Sequence, residues 1–398
     1  MENNNRRQFL KKSMIGISGA VLLPGTQSVA SVKPETTGLP IRPLGKTGIN
    51  TPLISIGTGN VTGTGLVKAA YDAGVKLFFS ATYYGEGNNE ILVGEGLKGL
   101  PRDSYVIGTA AIPEGIDKRT GLLTPAFSAD AYMKKVESSL TRFGLDYIDI
   151  VLLPFAGKKE TVQHDGILRT FEKAKLQGKI RFAGIASHGD TVEALDAAAA
   201  GVYDVAMISY NFKTQNIDAL NNSVANAVKA GVGIVAMKTT AGAFRDKSGP
   251  ALNTDAAIKW ALQNKNISSV VSGMTSVDQL QKNLSMIQNL KMSDQEMKDL
   301  NLAGLVGSPT LYCQQCRQCV PQCPHHLEIP TIMRSYMYAY GYKNAEQAYY
   351  TLADAGLSEK VCDKCEVCNV KCASGFDVKA KIADIARLRN VPVEFLRV

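Results

Sequence analysis

All eight cysteines of this 398-residue chain lie in its last quarter, in two runs of identical spacing. The first is Cys313-x2-Cys316-x2-Cys319-x3-Cys323-Pro324, and the second is Cys362-x2-Cys365-x2-Cys368-x3-Cys372. Such runs are the spacing by which thiolates hold [4Fe–4S] clusters. Zinc also takes Cys-x2-Cys pairs, but a tetrahedral site uses four ligands, usually as two separated pairs, so each run would carry a surplus. Disulfides are the other alternative, because eight is even and the chain begins like an exported one. Cysteines separated by two residues sit on one tight turn, however, and would need partners from the other run.

The spacing resembles that of bacterial ferredoxins with two clusters. That resemblance implies that the fourth cysteine of each run crosses over. One cluster then takes Cys313, Cys316, Cys319 and Cys372, and the other takes Cys362, Cys365, Cys368 and Cys323. The 38 residues between the runs, Pro324 to Val361, are too many for a compact ferredoxin hairpin. Helix formers and aromatics fill Ile329 to Tyr340 and Asn344 to Ala355, and Lys379–Leu388 places Ile382, Ile385 and Leu388 at helical spacing. This resembles the helical ferredoxin module of multi-subunit reductases.

Residues 1–30 read as an address. Arg6-Arg7-Gln8-Phe9-Leu10-Lys11 resembles the twin-arginine export motif, an apolar stretch runs from Met14 to Leu23, and Ser28-Val29-Ala30 suits signal-peptidase cleavage. The expectation is an exported, periplasmic protein that uses the twin-arginine machinery, with clusters loaded before export. No stretch approaches the ~20 apolar residues of a spanning helix, so none is expected in the mature chain. The net charge is +8, of which the leader carries +3. The rest is a mildly basic surface and no nucleic-acid footprint.

Residues 41–305 follow a linker at 31–40 and precede a cysteine-bearing domain at 306–398. Their length is near the ~250 residues of a (β/α)8 barrel. Strand-length apolar runs alternate with amphipathic helical stretches, which predicts a parallel sheet. The expected strands are Leu53–Ile56, Lys76–Ala81, Tyr105–Thr109, Ile148–Leu153, Phe182–Ala186, Val205–Tyr210, Gly233–Met237 and Ser269–Gly273. Periodicity alone also allows a doubly wound open sheet, although no Gly-x-Gly-x-x-Gly follows the first strand. The expected fold class is α/β, a TIM barrel followed by a mainly helical ferredoxin-like domain.

Several blocks carry a family likeness. Arg42-Pro43-Leu44-Gly45-Lys46-Thr47-Gly48, Tyr84-Gly85-x3-Asn89-Glu90, Gly178-Lys179-Ile180-Arg181-x2-Gly184, Tyr210-Asn211 and Gly273-x5-Gln279-Leu280-x2-Asn283 resemble, in order, the blocks of aldo-keto reductases. The family reduces carbonyls with NADPH. A Tyr gives the proton, its pKa lowered by a Lys that an Asp supports, and a His orients the carbonyl. An isolated Tyr, with pKa about 10, is a poor acid at neutral pH. Aligned by these blocks, only Tyr84 survives. Phe79 stands at the Asp position, Ala110 at the Lys position and Pro154 at the His position. The nicotinamide contacts also depart, with Ala186-Ser187 for the Ser-Asn pair and Met207 for a Gln.

The expected site therefore has two halves. Tyr84, as proton donor or as a packing residue, His188 after the fifth strand and Lys238 after the seventh are the catalytic candidates at the barrel face that carries catalysis. Tyr210, Gly273, Thr275, Gln279 and Asn283 are the candidates for holding NADP(H). His325 and His326 follow the first cysteine run and could tune a cluster. The expected function is that of an exported oxidoreductase passing electrons through two [4Fe–4S] clusters, with a redox partner protein, to or from a small-molecule substrate. The alternatives are a non-catalytic electron carrier or ligand-binding pseudoreductase, and an ordinary NADPH carbonyl reductase.

Overall fold

The structure is a computed structural model that describes residues 38–242, 252–304, 311–357, 362, 365 and 367–396. The export signal expected at residues 1–30, most of the expected linker, and Leu305 at the expected domain boundary lie outside the described residues.

A short antiparallel hairpin, β1 (Ile41–Pro43) and β2 (Asn50–Pro52), precedes the barrel. Arg42 fastens it by donating to the carbonyls of Leu262 (2.8 Å), Asn264 (3.0 Å) and Ile267 (2.7 Å). Leu44, fully buried, belongs to the cluster that fills the barrel interior. Gly45 has φ +56°, and a Cβ there would stand 2.4 Å from the Gly231 carbonyl oxygen, so the turn needs a glycine on both counts.

Eight strands then close on themselves: β3 (Ile54–Gly57), β4 (Leu77–Ala81), β5 (Val106–Ala110), β6 (Ile148–Pro154), β7 (Ile180–Ser187), β8 (Val205–Ser209), β9 (Gly233–Met237) and β10 (Ile267–Gly273). All neighbours are parallel, and β10 pairs with both β9 and β3, which excludes the open sheet. The period-2 pattern sorts the side chains. Ile150 and Leu152 of β6 point into the barrel with Phe79, Val205 and Met207, while Val151 and Leu153 join the layer beneath the helices. One buried carboxylate is held in a network. Asp149 accepts from Arg102 and Arg181, both at 2.7 Å, and from the Ile107 N–H at 2.9 Å.

The cysteine-bearing segment is built from helices Ile329–Tyr336, Ala345–Asp354 and Val378–Ala386, with a π-helical turn at Met337–Gly341. Their core combines Ile332, Leu352, Ile382 and Ile385 with Cys319 and Cys323. This segment and the barrel form one compact unit from Leu39 onward. Lys118 pairs with Asp354 at 2.7 Å, Asn344 donates to Asn60 at 2.9 Å, and Leu311, Tyr312 and Met337 pack on Ala241 beside the mouth. No helix among the described residues is long and apolar enough to cross a membrane.

Candidate active site at the barrel mouth

The carboxyl ends of the strands surround a cavity of about 480 Å³, within the range of small-molecule sites. Its floor is apolar: Phe79, Ala110, Leu152, Ala186, Met207 and Met237. Phe79, Ala110, Ala186 and Met207, four of the positions at which the sequence reading expected departures, are thus part of that floor. Phe79 is 3% exposed, and a Cβ on Gly108 would fall 2.2 Å from its Cε1, so the ring lies across the glycine on the next strand. Pro154 ends β6, buried.

Tyr84 enters from a turn over Tyr84–Gly87 in which Gly85, Glu86 and Gly87 all have positive φ. Asn89 and Glu90, in the helix that follows, secure this turn. Asn89 accepts from Thr58 (2.6 Å) and Ser80 (2.7 Å) and donates to the Thr58 carbonyl, while buried Glu90 accepts from Thr109 and Arg142, both at 2.5 Å. Gly59 makes room for the phenol, since a Cβ there would stand 2.9 Å from Tyr84 Cε2. Burial, and then Tyr338, push the Tyr84 pKa up to about 12, and Lys238 opposes them without prevailing.

Lys238 follows β9 with φ +57°, and its ammonium lies 4.8 Å and 4.6 Å from the ring centres of Tyr338 and Tyr342. Burial works against its charge, but Tyr338, Tyr342 and Tyr84 outweigh it, and the net shift is upward. It is a cation at neutral pH. His188 lines the same cavity and is pushed well below the usual histidine range by burial, then by Lys238 and Arg334. It is therefore neutral. The structure brings Tyr84, His188 and Lys238 together around one space.

The dinucleotide candidates divide. Gly273, Gln279 and Asn283 line the outer part of the cavity, with Lys282 beside them. Thr275 is exposed and outside the lining; its N–H donates to Gln279 at 2.9 Å. Tyr210 corrects the sequence reading. It is 3% exposed, donates to Asn221 (2.7 Å), accepts from Asn264 (3.0 Å) and packs against Trp260, so no face is open to a cofactor ring. The error came from its place at a strand end; the residue turns outward into the helical layer. At the nicotinamide end, Ala186 and Met207 offer no hydrogen bond to a carboxamide. The residues fit the phosphate end of a dinucleotide and do not fit its reactive end.

The cysteines lie in two neighbouring groups. Cys313 feels Cys319, Cys372 and Cys316, while Cys323, Cys362, Cys365 and Cys368 line one small cavity. Burial and then the neighbouring thiols push Cys313 up to about 12; burial likewise pushes Cys319 up to about 11. Thiols so placed are poor anions on their own, and a cationic metal group reverses that preference. Among the described residues no cysteine, histidine and carboxylate group is gathered closely enough to hold a single metal ion. Four thiolates are the ligand set that a [4Fe–4S] cluster takes, and each group supplies four cysteines.

Sequence reasoning missed the roof. Tyr338, Tyr342, Asn344 and Gln347 cover the mouth from the cysteine-bearing segment. The available signal was the alternation Tyr336, Tyr338, Tyr340, Tyr342, which no regular helix face explains. His325 lines the cavity of the second cysteine set, and His326 does not.

Residues 62–256 match the model of the aldo/keto reductase family, and residues 312–377 match that of the 4Fe-4S dicluster domain. The chain thus carries an aldo/keto reductase domain followed by a 4Fe-4S dicluster domain. It is 27% identical to the L-galactose dehydrogenase of Arabidopsis thaliana over 69% of this chain and 96% of that one. It is 26% identical to an aldo-keto reductase of Mycolicibacterium smegmatis over 63% and 86%. An aldo-keto reductase structure from Bacillus halodurans has the same fold, with a TM-score of 0.54 at 21% identity over 66% of this chain and 96% of that one.

Proposed function

We propose that this protein is an oxidoreductase that exchanges electrons between two cysteine-bound [4Fe–4S] groups and a small molecule in the mouth cavity. The observation that carries this reading is a shared wall. His188 and Lys238 line the mouth cavity and also the small cavity bordered by Cys313. When bound, the iron–sulfur groups supply one-electron chemistry. Cys313, Cys316, Cys319 and Cys372 would hold one, and Cys362, Cys365, Cys368 and Cys323 the other.

The chain's own residues handle the substrate and its protons. Lys238 attracts an oxygen that gains negative charge, in a cavity where burial strengthens the field. Tyr84, protonated at neutral pH and a weaker acid than a free phenol, offers a hydrogen bond to that space and gives up its proton only to an oxygen that has already gained negative charge. The floor of Phe79, Ala110, Leu152 and Met207 keeps water from the reacting group. Met207 and Ala186 argue against hydride transfer from a bound nicotinamide, so the electrons are assigned to the cysteine-held groups. The leader at residues 1–30 supports action outside the cytoplasm, with a redox protein as partner.

Anaerobic purification with iron and sulfide assayed together tests the first part, with about eight of each per chain expected for two clusters. The chemically reduced protein is then offered small carbonyl compounds, quinones and NADP⁺. Reoxidation by an organic acceptor is expected, slowed about a hundredfold or more by Tyr84→Phe at unchanged iron content. A protein whose loaded clusters no small molecule can cycle would sink the reading.

A further inference from the structure

Arg334 stands on helix Ile329–Tyr336 and is 8% exposed. Its guanidinium lies 6.0 Å from the Phe155 ring and borders a small cavity with Cys313, His188, Lys238, Tyr312 and Gln315. No carboxylate lines that cavity, and among the described residues none forms an ion pair with Arg334. A buried charge without a counter-charge is among the costliest arrangements a fold can contain. Lys238, on the same cavity, adds a second cation. The other arginine near these cysteines, Arg317, is matched by Glu328 through two bonds of 2.9 and 3.0 Å. Two positive charges thus face Cys313 with no protein anion to meet them.

We propose that Arg334, together with Lys238, is the counter-charge of the group held by Cys313, Cys316, Cys319 and Cys372, and makes it the more easily reduced of the two. The proposal rests on the two-cluster reading above. A [4Fe–4S] core of charge two plus, ringed by four thiolates, carries two negative charges, and reduction adds a third. Fixed cations beside it stabilise the reduced form more than the oxidised one. The second set has a different setting. Its cavity is lined mainly by apolar side chains, among them Leu327, Ile329, Val378 and Ile382, with His325, Asn369 and one half-buried lysine, Lys379, whose ammonium donates to the Cys365 carbonyl at 2.9 Å. An apolar lining disfavours the added charge. The order of potentials makes electrons collect beside the mouth cavity, which biases the protein toward reducing what binds there.

The test is an anaerobic redox titration of the full-length, cluster-loaded protein followed by electron paramagnetic resonance. Wild type is expected to show two signals at separate potentials. Arg334→Gln should move only the higher one, downward, while Arg334→Lys should leave it near its wild-type value. Lys379→Gln should move only the lower one. If Arg334→Gln does not load its clusters, Lys238→Met decides the question by the same downward shift of the higher signal. The proposal is overturned if the charge-removing variants leave both potentials in place, or if Arg334→Gln shifts the lower-potential signal. Failure of the two-cluster reading looks different: wild type itself would lack the iron, the sulfide or one signal.

Discussion

Phe79 and Ala110 show how one pair of residues decides what the barrel floor can do. A lysine at position 110 would project into an apolar floor, with the Phe79 ring where its carboxylate partner would stand. Ala110→Lys alone therefore buries an unpaired ammonium. We expect it to destabilise the protein by roughly 3 kcal/mol, with the added lysine driven toward its neutral form. Phe79→Asp with Ala110→Lys should recover much of that loss, and a double-mutant cycle from urea melts reads the coupling directly. Additive losses would show that the two side chains do not meet. At this scale the sequence was informative about composition: Phe79, Ala110 and Pro154 are apolar, and the structure buries all three at the end of the barrel that bears the cavity. It was less informative about direction. Tyr210 looks like a mouth residue in the sequence, but its hydroxyl is spent on Asn221 and Asn264 in the outer layer.

Among the elements, strands were the most legible, because each buried β-branched run is bounded by helical stretches. Gly233–Met237 was read with the right ends, and the other seven expected strands overlap β3 to β8 and β10 with no end off by more than two residues. The π-helical turn at Met337–Gly341 was not legible, since it exists to aim Tyr338 and Tyr342 at Lys238, a contact with no local signature. Helix Asn88–Leu97, which holds Asn89 and Glu90, offers a prediction whose sign opposes helix propensity. Alanine is the better helix former by about 1 kcal/mol. Yet a Cβ at Gly94 would stand 2.3 Å from the Phe143 carbonyl oxygen, a backbone atom at the end of helix Ala129–Phe143. Gly94→Ala should lower stability by about 1–3 kcal/mol and weaken the support of the Tyr84 turn. Thermal melts check the first effect; an unchanged or raised midpoint would refute it.

On the scale of the whole molecule, the cysteine-bearing segment is both a redox module and the lid of the barrel. Its core includes the side chains of Cys319 and Cys323, with Cys313, Cys362 and Cys372 packed at its edge. Binding energy for a group held there is also folding energy for the segment, as in other small metal-dependent folds. The barrel does not share that dependence, because its interior and its helical layer are filled by aliphatic and aromatic side chains. Removing the iron with a chelator under anaerobic conditions should therefore act unevenly. Backbone amides of Ile329–Tyr336, Ala345–Asp354 and Val378–Ala386 should lose most of their hydrogen-exchange protection, and those of β4 to β9 should keep theirs. Because Tyr338 and Tyr342 leave with the lid, Lys238 loses its aromatic enclosure and the mouth opens to water. Exchange at the Tyr84 turn should then rise along with that of the lid. Equal loss of protection in the barrel strands would mean instead that the two parts fold as a single cooperative unit around the metal groups.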